Sequence, residues 1–411
     1  MTTENSFQGF QWTYFADLSP GPVKQRADLF LSVVDWDQLR FYASGKNYGV
    51  DCVLLPHIGL GYNHMVRVLE FVDGTRWIAR LRMPSLDGST SDGASITKEF
   101  TTTSLVKSVT DIPTPFIHAI EPKCHHLVKA SFMLMDCLEG NVGMDLGMEV
   151  PSDRKTSFFN EMAHIHLIHQ DIDSNLSAKV QLSTIRLPMI GTLLGKSPDG
   201  TFVQGPIPGI GGPFHTAGEY FHAWASNAKF GMDSNRLQAA CGPFANEIIP
   251  SVEGFKDAIQ GLAESFSVAN NGPFPLCHGD FGHNNIVVDD QYRVLGVIDW
   301  ECAFAAPWEV FAEFPLTLSM TPAKMDAPWN YDEQGNPKDE ELLQKVLDQR
   351  HYVEAVRNAE AAAEIRGEQL LSRSLQDSRR QHLIAAMRLF DSGKPGWYGK
   401  LVDVFLEGEK P

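Results

Sequence analysis

The run from Leu276 to Glu301, LCHGDFGHNNIVVDDQYRVLGVIDWE, constrains this chain more than any other stretch. Two apolar segments, Ile286 to Val288 and Val294 to Ile298, flank the polar turn Asp289 to Arg293, a pattern that predicts a β-hairpin. Antiparallel pairing then has a geometric consequence. Asn285 enters the first strand and Asp299 leaves the second, so both stand at the open end of one hairpin, with Asp280 on the loop just before. Hard oxygen donors in such a cluster suit magnesium, which takes one or two carboxylates and fills its other positions with water and phosphate oxygens. Asp280 precedes Asn285 by five residues, far enough for its carboxylate to face an incoming hydroxyl while the amide faces the metal. Asp, Asn and Gly are also common turn formers, and any one of them alone would read as structural. Their joint placement points to phosphate chemistry.

Bulk properties narrow the field. A chain of 411 residues, 43% hydrophobic and 21% charged, is long enough to bury a core in each of two or three domain-sized units. Its 51 acidic residues against 34 basic give a formal net charge of -17, a field that repels phosphate backbones and anionic lipid. Nucleic acid and membrane partners are therefore not expected. The cysteines Cys52, Cys124, Cys137, Cys241, Cys277 and Cys302 are scattered without close pairs, which fits free thiols in a reducing compartment. With no signal-peptide pattern at the start and no apolar run of bilayer length, the expected location is the cytoplasm.

Along the chain, Cys52 to Met83 reads as an antiparallel meander of three strands with a turn at Asp73-Gly74. A polar stretch, SLDGSTSDGAS, leads into a helix from Ile96 to about Val109, which Ile112-Pro113-Thr114-Pro115 breaks, and FMLMDCL reads as one more buried strand. Beyond Gly140 the pattern turns helical, from Ser152 to about His169 and again from Lys338 to about Phe390. Between these, Leu187 to Phe214 is dense in Gly and Pro, with a hairpin expected at Asp199-Gly200. His164, His166 and His169 do not share a helical face as a metal pair at i and i+4 would, and Cys124-His125-His126 lacks a second ligand pair. No G-x-S-x-G elbow is present.

His278-Gly279-Asp280 with Asn285 resembles the catalytic loop of the aminoglycoside phosphotransferase family, also called the phosphotransferase enzyme or choline-kinase-like family. Ile298-Asp299-Trp300-Glu301 resembles its metal-binding segment. The resemblance implies an α+β, two-lobed protein-kinase-like fold. Residues 1–140 would form a small antiparallel-sheet lobe that binds nucleotide, and residues 141–411 a larger, mostly helical lobe carrying the catalytic loop and the substrate-binding helices. It implies an ATP- and magnesium-dependent transfer to a hydroxyl of a small molecule, with Asp280 as catalytic base and Asn285 and Asp299 as ligands of Mg2+.

The same resemblance assigns partners in the first half of the chain. Arg80 occupies the strand position where the family usually carries a lysine that touches the ATP phosphates. Glu99, spaced from Thr110-Asp111-Ile112-Pro113 as in fungal members, would orient Arg80, although Lys98-Glu99 also reads as a solvated helix start. Gly59 and Gly61 would let backbone amides approach the phosphates, although two glycines at a hairpin tip are ordinary. Met135, Asp136 and Leu138 would form the hinge that meets the adenine edge, or simply a buried strand and its exit. After Asp299 the chain departs from bacterial members, with Ala306-Pro307-Trp308-Glu309 where those carry an anchoring aspartate. Two classes of function stay open: a phosphotransferase, favoured by Asp280, Asn285 and Asp299 together, and a non-catalytic nucleotide- or metabolite-binding protein, favoured by arginine in place of lysine.

Overall fold

The computed structural model describes residues 7–86, 94–167, 182–362 and 370–408. The chain is α+β, and it divides into two compact units. One comprises residues 1–158, 193–203 and 280–302; the other comprises 159–192, 204–279 and 303–411.

The first unit is built on an antiparallel sheet. The meander forms as expected: β1 (Cys52–Leu60), β2 (His64–Phe71) and β3 (Arg76–Arg82). Its second turn closes because the Asp73 carboxylate accepts the Thr75 amide at 2.9 Å and Gly74 takes φ 86°, where a side chain is strained. FMLMDCL supplies β5 (Phe132–Asp136), and the strand order is β1-β2-β3-β5-β4. β4 (Ile117–Glu121) was not anticipated; all five of its residues are half-buried, so it lacks the alternation by which a strand is usually recognised.

Three N-terminal helices were also not anticipated: α1 (Tyr14–Asp17), α2 (Pro22–Val33) and α3 (Trp36–Lys46). Local chemistry sets their starts. Pro22 opens α2 where its missing N–H costs nothing, and Asp35 caps α3 by accepting the Gln38 amide at 3.1 Å. Ala27 and Phe30 of α2 and Leu39 and Ala43 of α3 bury against Met65, Leu69, Trp77, Leu81 and Phe132 on one sheet face. α4 (Ala94–Val109) takes the other face, with Ile96 packed among Met133, Met135, Ile78 and Ile117. The polar stretch ahead of it, residues 87–93, lies outside the described residues. The hairpin pairs Ile286 with Val297 and Val288 with Val294, and Val297 N donates to Pro113 O at 2.8 Å.

The second unit is mostly helical. Helix Ala217–Asn227 opens with a capping box between Thr216 and Glu219, and its Phe221 meets Phe266 of helix Phe255–Phe266 at 4.6 Å between ring centroids. The stretch from Lys338 onward resolves into helices Glu340–Ala362, Leu370–Gln376 and Ser378–Asp391. The helix expected from Ser152 starts at Lys155 and is described to Leu167; His169 and the His166 side chain lie outside the described residues. The hairpin around Asp199-Gly200, whose residues 193–203 belong to the first unit, joins strands Thr192–Lys196 and Phe202–Gly205. No helix among the described residues is long and apolar enough to cross a membrane.

Phe132 is fully buried in the sheet layer that α2 and α3 cover. Phe132→Ala is expected to lower stability by about 3–5 kcal/mol, read as a shift of the urea midpoint; a change of less than about 1 kcal/mol would show that this layer collapses around the cavity.

Candidate active site

Side chains alternate along β3. Trp77, Ala79 and Leu81 are buried in the core, so Arg80 and Arg82 emerge together on the opposite face. Arg80 lies centrally, paired in register with Val66 of β2 and Met133 of β5. Its guanidinium is forked between two acids. Nη1 donates to Glu99 Oε2 of α4, and Nη2 donates to Asp299 Oδ1 at 2.7 Å. Arginine reaches both because its planar fork directs donors along two lines, which a single ammonium does not.

Arg80 and Glu99 are deeply buried, while Asp299 is partly exposed. Burial by itself would lower the Arg80 pKa, but Glu99, Asp299 and Glu301 outweigh it and hold the cation above its ordinary value. Glu99 is pushed up to about 7, first by burial and then by Asp299 and Glu301, with Arg80 opposing. His64 is held well below its usual range by burial and by the cations of Arg80 and Arg82, so it is neutral at pH 7.

Glu301 organises a second set of contacts, and sequence reasoning did not single it out. Its Oε2 accepts Arg82 Nη1 at 2.6 Å and Ser95 Oγ at 2.9 Å, and its Oε1 accepts Asn63 Nδ2 at 3.0 Å. One carboxylate thus ties the β1–β2 turn, β3 and the start of α4 to the segment after the hairpin. The available signal was the period of two: Arg82 follows Arg80 on one strand face, and Glu301 follows Asp299 by the same step.

At the open end of the hairpin, Asn285 Nδ2 donates to both the carbonyl and the Oδ2 of Asp280, each at 2.8 Å, and Ile298 N donates to Asn285 O at 3.0 Å. Asp299 has φ 65°, the left-handed conformation that Asp tolerates better than most residues, and this turns the chain sharply as it leaves the strand. Asp280, Asn285, Asp299, Arg80 and Glu99 all line one cavity of about 440 Å³, within the range of small-molecule sites.

Gly59, Gly61, Met135, Asp136 and Leu138 line the same cavity. Asp136 is tied down through both carboxylate oxygens, to the Phe116 amide at 2.9 Å and to His118 Nε2 at 2.8 Å. Asp145, not considered from sequence, is another lining residue, and burial pushes its carboxyl up to about 6. His278 is buried, as a packed histidine would be.

The donor set fits magnesium. Asn285 turns its amide nitrogen toward Asp280, and its carbonyl oxygen and the Asp299 carboxylate are hard donors on one cavity wall. Among the described residues no three His, Cys, Asp or Glu side chains form a metal cage. Magnesium bound with a phosphate ligand needs none, since water and phosphate oxygens complete its shell.

The sequence profile of the phosphotransferase enzyme family matches residues 69–309. No curated protein sequence matches the chain. Among solved structures, it is similar to a candidate aminoglycoside phosphotransferase from Ralstonia eutropha at 14% identity and TM-score 0.47, over 88% of this chain and 99% of that one. It is similar to aminoglycoside phosphotransferase APH(4)-Ia, solved with ADP and hygromycin B, at 17% identity and TM-score 0.45, over 91% and 99%. A candidate fructosamine-3-kinase from Thermobifida fusca is similar at 15% identity and TM-score 0.44, again over 91% and 99%.

Arg82 and Glu301 are mostly buried, with side chains 16% and 12% exposed. Removing one partner strands the other charge, so Arg82→Met or Glu301→Leu alone is expected to cost about 3 kcal/mol, while the two together cost less than either single change. Chemical denaturation of the three variants checks this; a double variant as unstable as the sum of the singles would show that the pair is not coupled.

Proposed function

Because this chain belongs to the phosphotransferase enzyme family, we propose that it transfers the γ-phosphoryl group of ATP to a hydroxyl of a small molecule. The observation that carries this reading is the forked Arg80, held between Glu99 and Asp299 in the cavity that Asp280 and Asn285 also line. Phosphoryl transfer needs little covalent help from protein; it needs the reactants positioned and the charge on the phosphate oxygens neutralised.

Each residue then has a task its surroundings support. Asp280, steadied by the Asn285 amide, orients the acceptor hydroxyl and takes its proton. Arg80 offers a permanent cation to the phosphates, and Glu99 holds it in place. Asn285 and Asp299 are the residues to hold magnesium, which when bound supplies neutralising charge at the phosphate oxygens. Met135 and Asp136, which end β5, line the cavity with Leu138, and Met135 to Leu138 are the segment proposed to meet the adenine edge. Gly59 and Gly61 stand in the wall proposed to approach the phosphates. The lobe division proposed at about residue 140 puts this nucleotide-binding sheet in one lobe and the substrate-binding helices in the other. The full set of Asp280, Asn285 and Asp299 favours catalysis over binding alone, since a binder has no need of the base.

Asp280→Asn is expected to cut turnover by about 10²- to 10⁴-fold, because an amide keeps the shape but does not accept the proton. Affinity for ATP should stay within about threefold of the parent, as the loss falls on the transition state. Coupled measurement of ATP consumption against a panel of small alcohols, with calorimetry of nucleotide binding, reads both; a variant of undiminished activity would remove Asp280 from the mechanism.

Arg80→Lys separates a working enzyme from a degenerate one. An ammonium does not satisfy Glu99 and Asp299 along two directions at once, so turnover should fall by at least about tenfold. A rise in activity on restoring lysine would instead favour the non-catalytic reading of the parent.

A further inference from the structure

Residues 7–17 precede the stretch matched by the family profile, yet Trp12 and Tyr14 among them form part of the cavity wall. They are tied down at several points. Gln11 N donates to Asn141 Oδ1 at 2.8 Å, Asn141 Nδ2 donates to Gly9 O at 3.2 Å, and Gln8 N donates to Asp290 Oδ2 at 3.3 Å. Asn141 is itself a firm anchor, 3% exposed and exchanging two backbone hydrogen bonds with Val288 at 3.0 and 2.9 Å.

Aromatic contacts extend this strap toward the glycine turn. Phe7, Phe10 and Trp12 pack in succession with ring centroids 4.9 and 4.7 Å apart, and Phe10 meets His57 of β1 at 5.9 Å. The Trp12 indole lies so near Gly59 that a Cβ there would come within 3.2 Å of the ring. Glycine at 59 is therefore what lets the indole sit on the strand backbone. Trp12 and Tyr14 line the same cavity as Gly61, Met135 and Leu138.

We propose that Trp12 is a base-binding residue, its half-buried indole supplying an aromatic wall for the purine of the nucleotide, and that residues 9–14 are a part of the ATP site that lies outside the stretch matched by the family profile. This rests on the nucleotide-binding reading given above. An aromatic ring held in place before the ligand arrives binds a base without an ordering cost, and stacking of one base on such a ring strengthens binding by about tenfold to a hundredfold. The wall selects for the base and leaves the phosphates to Arg80.

The test is calorimetry on the full chain with ADP, and with inorganic tripolyphosphate as a ligand that has no base. Trp12→Ala should weaken ADP binding by about tenfold or more and leave tripolyphosphate unchanged, while Trp12→Phe should stay within about threefold of the parent for both. Trp12→Leu, which keeps apolar bulk without the π face, should follow alanine, and it serves if the alanine variant melts early. Parent and Trp12→Ala binding ADP equally, or the variant binding it more tightly, would overturn this proposal and leave the nucleotide site standing. Equal losses for ADP and tripolyphosphate would overturn it too, showing that Trp12 acts by shaping the glycine turn. A parent protein that binds neither ADP nor ATP would overturn the nucleotide reading itself, and this proposal with it.

Discussion

A single guanidinium, projecting from the middle of β3 into the cavity, joins the helix that covers the sheet to the segment that leaves the hairpin. Arg80 can do this because arginine is planar and forked: one nitrogen faces Glu99 while another faces Asp299. Its burial would be costly for a lone cation, and the three carboxylates of Glu99, Asp299 and Glu301 reverse that cost. Burial first, and then the charges of Asp299 and Glu301, push the Glu99 carboxyl upward in turn.

Around this fork, Glu301 performs a complementary task. Arg82, Ser95 and Asn63 all donate to it, so the β1–β2 turn, β3 and α4 share one acceptor on the segment that also carries Asp299. On the other side of the hairpin mouth, the Asn285 amide steadies the Asp280 carboxylate. Positioning is thus distributed over short polar contacts between elements far apart in sequence. Each element is made rigid by its own apolar face: Ile96 of α4 against Met133 and Met135, and the α2–α3 pair against the opposite side of the sheet. Chemistry of this kind depends on such rigid placement, because phosphoryl transfer gains most from geometry and fixed charge.

Much of this was legible in one sequence wherever the information is local. Strand alternation and turn chemistry foretold the meander Cys52 to Met83 and the Ile286 to Val297 hairpin, because a period of two and an Asp-Gly turn are properties of adjacent residues. The juxtaposition of Asp280, Asn285 and Asp299 followed from antiparallel pairing alone. β4 escaped because its residues show no alternation; α2 and α3 carry local signals, Pro22 and the Asp35 cap with Ala27–Phe30 and Leu39–Ala43 at helical spacing, but their burial is decided by the sheet they land on. Trp12 escaped for a related reason: a lone indole carries no pattern of its own.

The sequence by itself therefore determined which chemistry this chain can hold, through residue types at fixed spacing on one hairpin, and which side of β3 its arginines would take. Only the tertiary structure decided what those arginines grip. Arg80 and Asp299 stand 219 positions apart, as do Arg82 and Glu301, and no local periodicity registers a pairing over such a distance. Contacts of that kind form when packing brings the elements together and leaves each buried charge its nearest partner.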